Sequence, residues 1–175
     1  MRTLVLGGIR SGKSRWAEQF LAGATPPDSP ICYVATGDAS ADGDFTNRVA
    51  AHRLRRPAHW RTVETAEVAT QLRTSSAPTL VDDLGGWLVA AMDRQSAWTG
   101  GSVHPDVTEL TSAVAAFEAP LALVSPEVGL TVVPATASGR LFADELGTLN
   151  QQLAAVCDRV VLVVAGQPLT IKESR

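Results

Sequence analysis

Gly7-Gly8-Ile9-Arg10-Ser11-Gly12-Lys13-Ser14 places glycine at the first and sixth positions of a run that closes on Lys and Ser. Glycine there lets the backbone take positive φ and approach a ligand closely, so that successive N–H groups turn onto phosphate oxygens. Lys13 can neutralise β and γ phosphates, and the Ser14 hydroxyl can complete the shell of a Mg2+ ion. Such a loop works with a carboxylate that orders the cation, carried at the end of a neighbouring apolar strand. Leu80-Val81-Asp82-Asp83 offers one: Asp82 directly ends the apolar run and is preferred, Asp83 is next, and helix capping is the alternative role for either. These residues together describe a site for a nucleoside triphosphate.

A second constellation runs from Arg48 to Glu64, where Arg48, Arg53, Arg55, Arg56 and Arg61 accompany His52 and His59. On a helix, Arg48, His52 and Arg55 fall on one face until Pro57 ends it. A cationic face with a central imidazole suits a polyphosphate. The imidazole can act there as a base or, when neutral, as a nucleophile on phosphorus, and the crowd of arginines favours the neutral form by like-charge repulsion. The same spacing also fits a solvated basic helix with a surface histidine. His59 beside Trp60 reads as packing, and His104 before Pro105 as loop.

The elements that must hold these residues are written in hydrophobic periodicity. Thr3 to Leu6, Ile31 to Ala35, Thr79 to Val81, Leu121 to Val124 and Val160 to Val164 are short continuous apolar runs, the pattern of strands buried on both faces. Helices are expected over Lys13 to Leu21, Asp44 to Leu54, Val107 to Phe117 and Ala143 to Val156, the last with Leu146, Leu149, Leu153 and Val156 in one stripe. Strands alternating with helices predict a three-layer α/β fold around a mostly parallel sheet. The phosphate-loop motif sits where such a fold wants it, after one strand and before one helix. Trp98 to Ser102 reads as a flexible excursion, and Lys172 to Arg175 as a solvated tail.

Composition narrows the function further. The chain has 175 residues, with 15 Lys and Arg against 18 Asp and Glu, a net charge of −3, and 45% apolar and 19% charged residues. That balance excludes a basic nucleic-acid arm and intrinsic disorder, and no aromatic residues interleave with a basic stripe. No run approaches the roughly 18 apolar residues of a membrane span, and the N-terminus lacks a signal-peptide pattern, so one cytoplasmic domain over residues 1–175 is expected. Cys32 and Cys157 lie inside apolar runs, which fits buried thiols rather than a disulfide framework or a zinc site. On the residues alone, a small-molecule kinase and a non-catalytic nucleotide-binding module remain open beside a nucleotidyltransferase.

The phosphate loop, Tyr33-Val34-Ala35-Thr36, the run from Arg48 through His52 to Glu64, Glu127-Val128-Gly129 with Val133-Pro134, Asn150-Gln151, and Ala165-Gly166 with Ile171-Lys172 resemble, in order and over nearly the whole chain, the bifunctional adenosylcobinamide kinase and adenosylcobinamide-phosphate guanylyltransferase family of cobalamin biosynthesis. The resemblance implies a RecA-like P-loop NTPase fold and a homotrimer. It implies phosphorylation of adenosylcobinamide from a nucleoside triphosphate, ATP or GTP, with Lys13 catalytic. GMP then passes from GTP to adenosylcobinamide phosphate through a guanylylated His52. A ligand as large as that corrinoid is expected between subunits or over a mobile segment such as Ala97 to His104. It also implies nucleotide contacts at Gly7, Gly8, Ile9, Arg10, Ser11, Gly12, Lys13 and Ser14, at Thr36, Gly37 and Asp38, at Arg53, Leu54, Arg55 and Arg56, and at Glu64 and Asp82, with Mg2+ held at Ser14 and Asp82. The chain departs from the family's common pattern at Ala51 and Pro126, where His and Asn are frequent, at Asp82, where Glu is, and at Leu84-Gly85-Gly86-Trp87, where Thr is.

Overall fold

The computed structural model describes residues 1–36 and 57–174. Along the chain these form β1 (Arg2–Gly7), α1 (Lys13–Gly23), β2 (Cys32–Ala35), β3 (Arg61–Glu64), α2 (Val68–Thr74), β4 (Thr79–Asp82), α3 (Leu84–Arg94), a 3-10 turn (Ala97–Thr99), α4 (His104–Ala116), β5 (Leu121–Pro126), α5 (Ala137–Val156), β6 (Arg159–Val164) and β7 (Gln167–Glu173). The sheet order is β3-β2-β4-β5-β1-β6-β7. Every pairing is parallel except that of β6 with β7. This is the expected three-layer α/β arrangement of a P-loop fold.

The continuous apolar runs have the anticipated cause. Alternate residues of one strand feed two cores on opposite faces of the sheet. Val5, Tyr33, Leu80, Val124 and Val161 pack with Ala17 and Leu21 of α1, whereas Leu4, Leu6, Val34, Val81 and Leu123 pack with residues of α2, α3, α4 and α5. In α5, Leu146, Leu149 and Leu153 are buried, with Val156 partly so.

Four expectations are corrected. The C-terminal segment is no solvated tail. It enters β7, and Lys172 Nζ donates to the carbonyls of Ala154, Ala155 and Cys157 at 2.8, 3.1 and 2.8 Å, closing the end of α5. The Trp98 to Ser102 excursion is a compact turn: Trp98 Nε1 donates to Asp93 Oδ1 at 2.6 Å, and Gly101 N donates to Ser96 O at 3.1 Å. His104 opens α4 instead of lying in a loop. Of the His59–Trp60 pair only Trp60 packs, at 8% exposure, while His59 faces outward with Nδ1 3.8 Å from Asp28 Oδ1. The helix expected over Asp44 to Leu54 lies outside the described residues.

The register aligns the carboxyl ends of the strands. Gly7 pairs with Pro126, Asp82 with Val124, and Ala35 with Asp82. One edge of the sheet therefore collects the end of the phosphate-loop strand and the end of the acidic strand, with β5 between them.

Candidate active site

β1 stops at Gly7 because the loop must turn under α1 there. A Cβ at Gly7 would stand 2.4 Å from Ser11 Oγ and 2.7 Å from the Val163 carbonyl oxygen, so only glycine leaves room. Arg10 and Gly12 both have positive φ, 57° and 93°. The turn is tied at three points: Ser11 N to Gly8 O at 3.3 Å, Glu127 N to Gly7 O at 3.0 Å, and Gly166 N to Ser11 O at 2.7 Å. β5 and the β6–β7 turn thus brace the loop from both sides.

Among the described residues no side chain caps α1 at Gly12 and no acidic residue stands in its first turn, whereas Asp83 caps α3 and Thr136 caps α5. The first N–H groups of α1 are left for an anion, at the positive end of the helix. Ser11 Oγ is closed off from solvent against Gly7, without a hydrogen-bond partner among the described residues. Lys13 folds back over the loop, its Nζ 3.3 Å from Gly8 O. Ile9 stands 90% exposed beside it.

The two aspartates divide their roles. Asp82 Oδ1 accepts from Ser14 Oγ at 3.3 Å, and its Oδ2 accepts from Tyr33 OH at 2.6 Å. Asp83 turns the other way and accepts from Gly86 N at 2.8 Å as the cap of α3. Thr36, buried at the end of β2, donates its N–H to Asp82 O at 3.1 Å and its hydroxyl to Asp83 O. The donor set beside the loop is one hydroxyl and one carboxylate, hard oxygens that suit Mg2+. Among the described residues no group of three or more His, Cys, Asp or Glu could hold a metal by itself. A cation at Ser14 and Asp82 would therefore take its remaining ligands from phosphates and water.

Glu64 ends β3 beside Ala35, at the far side of the same sheet edge. Four strand spacings separate β3 from β1, about 19 Å at the usual inter-strand distance. The structure therefore groups Gly7 to Ser14 with Asp82 and Thr36, and places Glu64 on the strand next to Thr36 but four strands from the phosphate loop. His52, with Gly37, Asp38, Arg53, Leu54, Arg55 and Arg56, lies outside the described residues. The segment that carries them leaves β2 after Thr36 and re-enters the described chain at Pro57, ahead of β3.

Comparison with known proteins decides the family. A family model described as cobinamide kinase / cobinamide phosphate guanyltransferase matches residues 3–171. The chain belongs to this family. It is 39% identical to the bifunctional adenosylcobalamin biosynthesis protein CobP of Pseudomonas aeruginosa, over 98% of each chain. It is 36% identical to the bifunctional adenosylcobalamin biosynthesis protein CobU of Salmonella typhimurium and 34% to that of Escherichia coli, in both cases over 98% of this chain and all of the relative. As a member of the cobinamide kinase and guanyltransferase family it is an enzyme of both transfers.

Sequence reasoning missed Tyr33 as Asp82's partner and Gly166 as a brace of the loop. Both act through contacts between strands remote in sequence, and neither carries a local signature. Trp98, in the Ala97 to His104 segment, lines a cavity of about 290 Å³ together with Val89, Thr136, Ser138, Gly139 and Phe142. Among the described residues no helix is long and apolar enough to cross a membrane.

Proposed function

We propose that this chain phosphorylates the aminopropanol hydroxyl of adenosylcobinamide from ATP or GTP at Gly7 to Ser14, then transfers GMP from GTP to the resulting phosphate by way of His52. The observation that carries this reading is the coupling of Ser14 to Asp82 at 3.3 Å beneath the uncapped start of α1, an arrangement that suits a triphosphate and its cation. Mg2+ bound there would supply charge neutralisation of the β and γ phosphates. The loop amides orient the phosphates, and Lys13 has only to leave the Gly8 carbonyl to reach them. In the guanylyl step a neutral His52 nitrogen attacks the α-phosphorus of GTP and pyrophosphate leaves. The phosphate oxygen of adenosylcobinamide phosphate then displaces the histidine, giving adenosylcobinamide-GDP and restoring the imidazole. Arg53, Arg55 and Arg56 serve the triphosphate charge, with Gly37, Asp38, Leu54 and Glu64 completing the nucleotide contacts.

Two coarser features belong to the same proposal. Self-association is supported by the exposed apolar residues Leu169 and Ile171 on the edge strand β7; the trimer is the number the family resemblance implies, and light scattering reads it directly. A cytoplasmic setting is supported by Cys32 and Cys157, both buried and unpaired as disulfides.

The test is incubation of the protein and of His52→Ala with Mg2+ and GTP labelled at the α or the γ phosphate, followed by denaturation. Acid-labile label retained from the α position only, and lost in the variant, is the expected result. Wild-type protein that binds GTP yet retains no label would refute the histidine intermediate and leave a simple kinase or a binding module.

A further inference from the structure

Asp82 is useful to the phosphate loop only if its carboxylate keeps one oxygen turned toward Ser14. The residue ends β4, and Tyr33 meets its second oxygen. Tyr33 is 2% exposed, and its OH donates to Asp82 Oδ2 at 2.6 Å while Ser14 Oγ donates to Oδ1.

The register explains the reach. Tyr33 pairs with Leu80 and Ala35 with Asp82, so Tyr33 and Asp82 are diagonal neighbours on the face covered by α1. An aromatic side chain spans that diagonal where a short one does not. The ring itself is held by packing: Trp60 lies against it with centroids 6.5 Å apart at 39°, and Val5, Ala17 and Leu80 belong to the same core. Phenylalanine would fill this volume equally well, so packing does not account for the hydroxyl. A hydrogen bond donated to a carboxylate is short, strong and directional.

We propose that Tyr33 is a positioning residue for the metal-nucleotide site, its hydroxyl fixing the Asp82 carboxylate so that Oδ1 is presented toward Ser14. This rests on the reading that Asp82 orders the cation of the bound nucleotide. Groups that hold a metal-ordering ligand from behind typically change metal affinity 10- to 100-fold when removed, and Tyr33→Phe should cost about 10-fold.

The experiment measures binding of a non-hydrolysable GTP analogue by calorimetry with Mg2+ and with chelator, in the wild type, Tyr33→Phe, Asp82→Asn and the double variant. The quantity of interest is the gain in affinity that Mg2+ provides. It should be about 10-fold smaller in Tyr33→Phe, lost in Asp82→Asn, and no smaller in the double variant than in Asp82→Asn. A Tyr33→Phe protein that keeps the full gain while Asp82→Asn loses it overturns the role of Tyr33. Retention of the gain in both single variants instead removes Asp82 from the cation site, and the Tyr33 proposal falls with that reading.

A second readout leaves the hydroxyl in place. Tyr33 is the only tyrosine of the chain, so 3-fluorotyrosine labelling gives a single 19F resonance. Adding Mg2+ to the nucleotide complex should shift it in the otherwise unaltered protein and leave it still in Asp82→Asn. An unmoved resonance in the first case counts against the proposal even if Tyr33→Phe does not fold.

Discussion

Replacing Gly12 by alanine tests the phosphate loop where backbone conformation and tertiary contact meet. Gly12 has φ of 93°, and a Cβ there would lie 3.1 Å from the Cα of Gly166. The positive φ costs an L-residue roughly 1–2 kcal/mol, and crowding against backbone that cannot rotate aside adds roughly 1–3 kcal/mol, about 2–5 kcal/mol together. For a chain of this size each kcal/mol lowers Tm by roughly 2–4 °C. Two glycines supply controls. Gly166, at φ 76°, and Gly100, at φ 109°, would place a Cβ in open space, so Gly166→Ala and Gly100→Ala carry the conformational cost without the clash. Gly12→Ala should melt several degrees below both. It should also bind GTP roughly 10- to 100-fold more weakly, because moving the start of α1 removes at least one charge-assisted hydrogen bond to phosphate. Thermal denaturation and calorimetric titration of the three variants check both statements. Gly12→Ala that melts with the controls and binds GTP like wild type would refute the claim that close approach of Gly12 to the β6–β7 turn shapes the loop.

Acid should weaken the fold through Asp158, whose carboxyl the Arg2 guanidinium and N–H hold down at about 2. A carboxyl lowered in the folded state stabilises fully above its unfolded value near ~4 and loses that contribution as pH falls from ~4 through the folded value. At a side chain about one-third exposed the effect is about 1 kcal/mol after solvent screening, and Asp158→Asn should flatten the urea-midpoint curve in that window. Lys172→Met should remove the closure of α5 and cost about 1–2 kcal/mol in urea denaturation, with faster amide exchange in β7; unchanged exchange there would mean that the ammonium–carbonyl contacts do not hold the strand.

What could be read before folding was whatever the chain states locally. The interior strands are legible because burial on both faces forces continuous apolar runs, and the phosphate loop because one short segment carries the whole conformation. β3 and β7 escaped notice because edge strands gain their stability from a neighbour and need no apolar run of their own; β7 spends most of its length exposed. α3 was hidden by Gly85 and Gly86, which suggest a loop, although the Asp83 cap and the burial of Leu84, Trp87, Leu88, Ala91 and Met92 hold it helical. α2 is only seven residues long, too short for periodicity to speak.

At the site, the sequence by itself determined the chemistry available: a glycine-rich turn, an ammonium, a hydroxyl and two adjacent carboxylates. Which carboxylate faces the loop was a matter of register. The alignment of Ala35, Asp82 and Val124 puts Asp82 beside Ser14 and brings Tyr33 from the adjacent strand to its other oxygen, while Asp83 turns to the amide of Gly86. Neighbours in sequence can share a composition and still receive different tasks, because hydrogen bonds between strands depend on which residues stand opposite one another, and that is fixed only when the sheet is assembled.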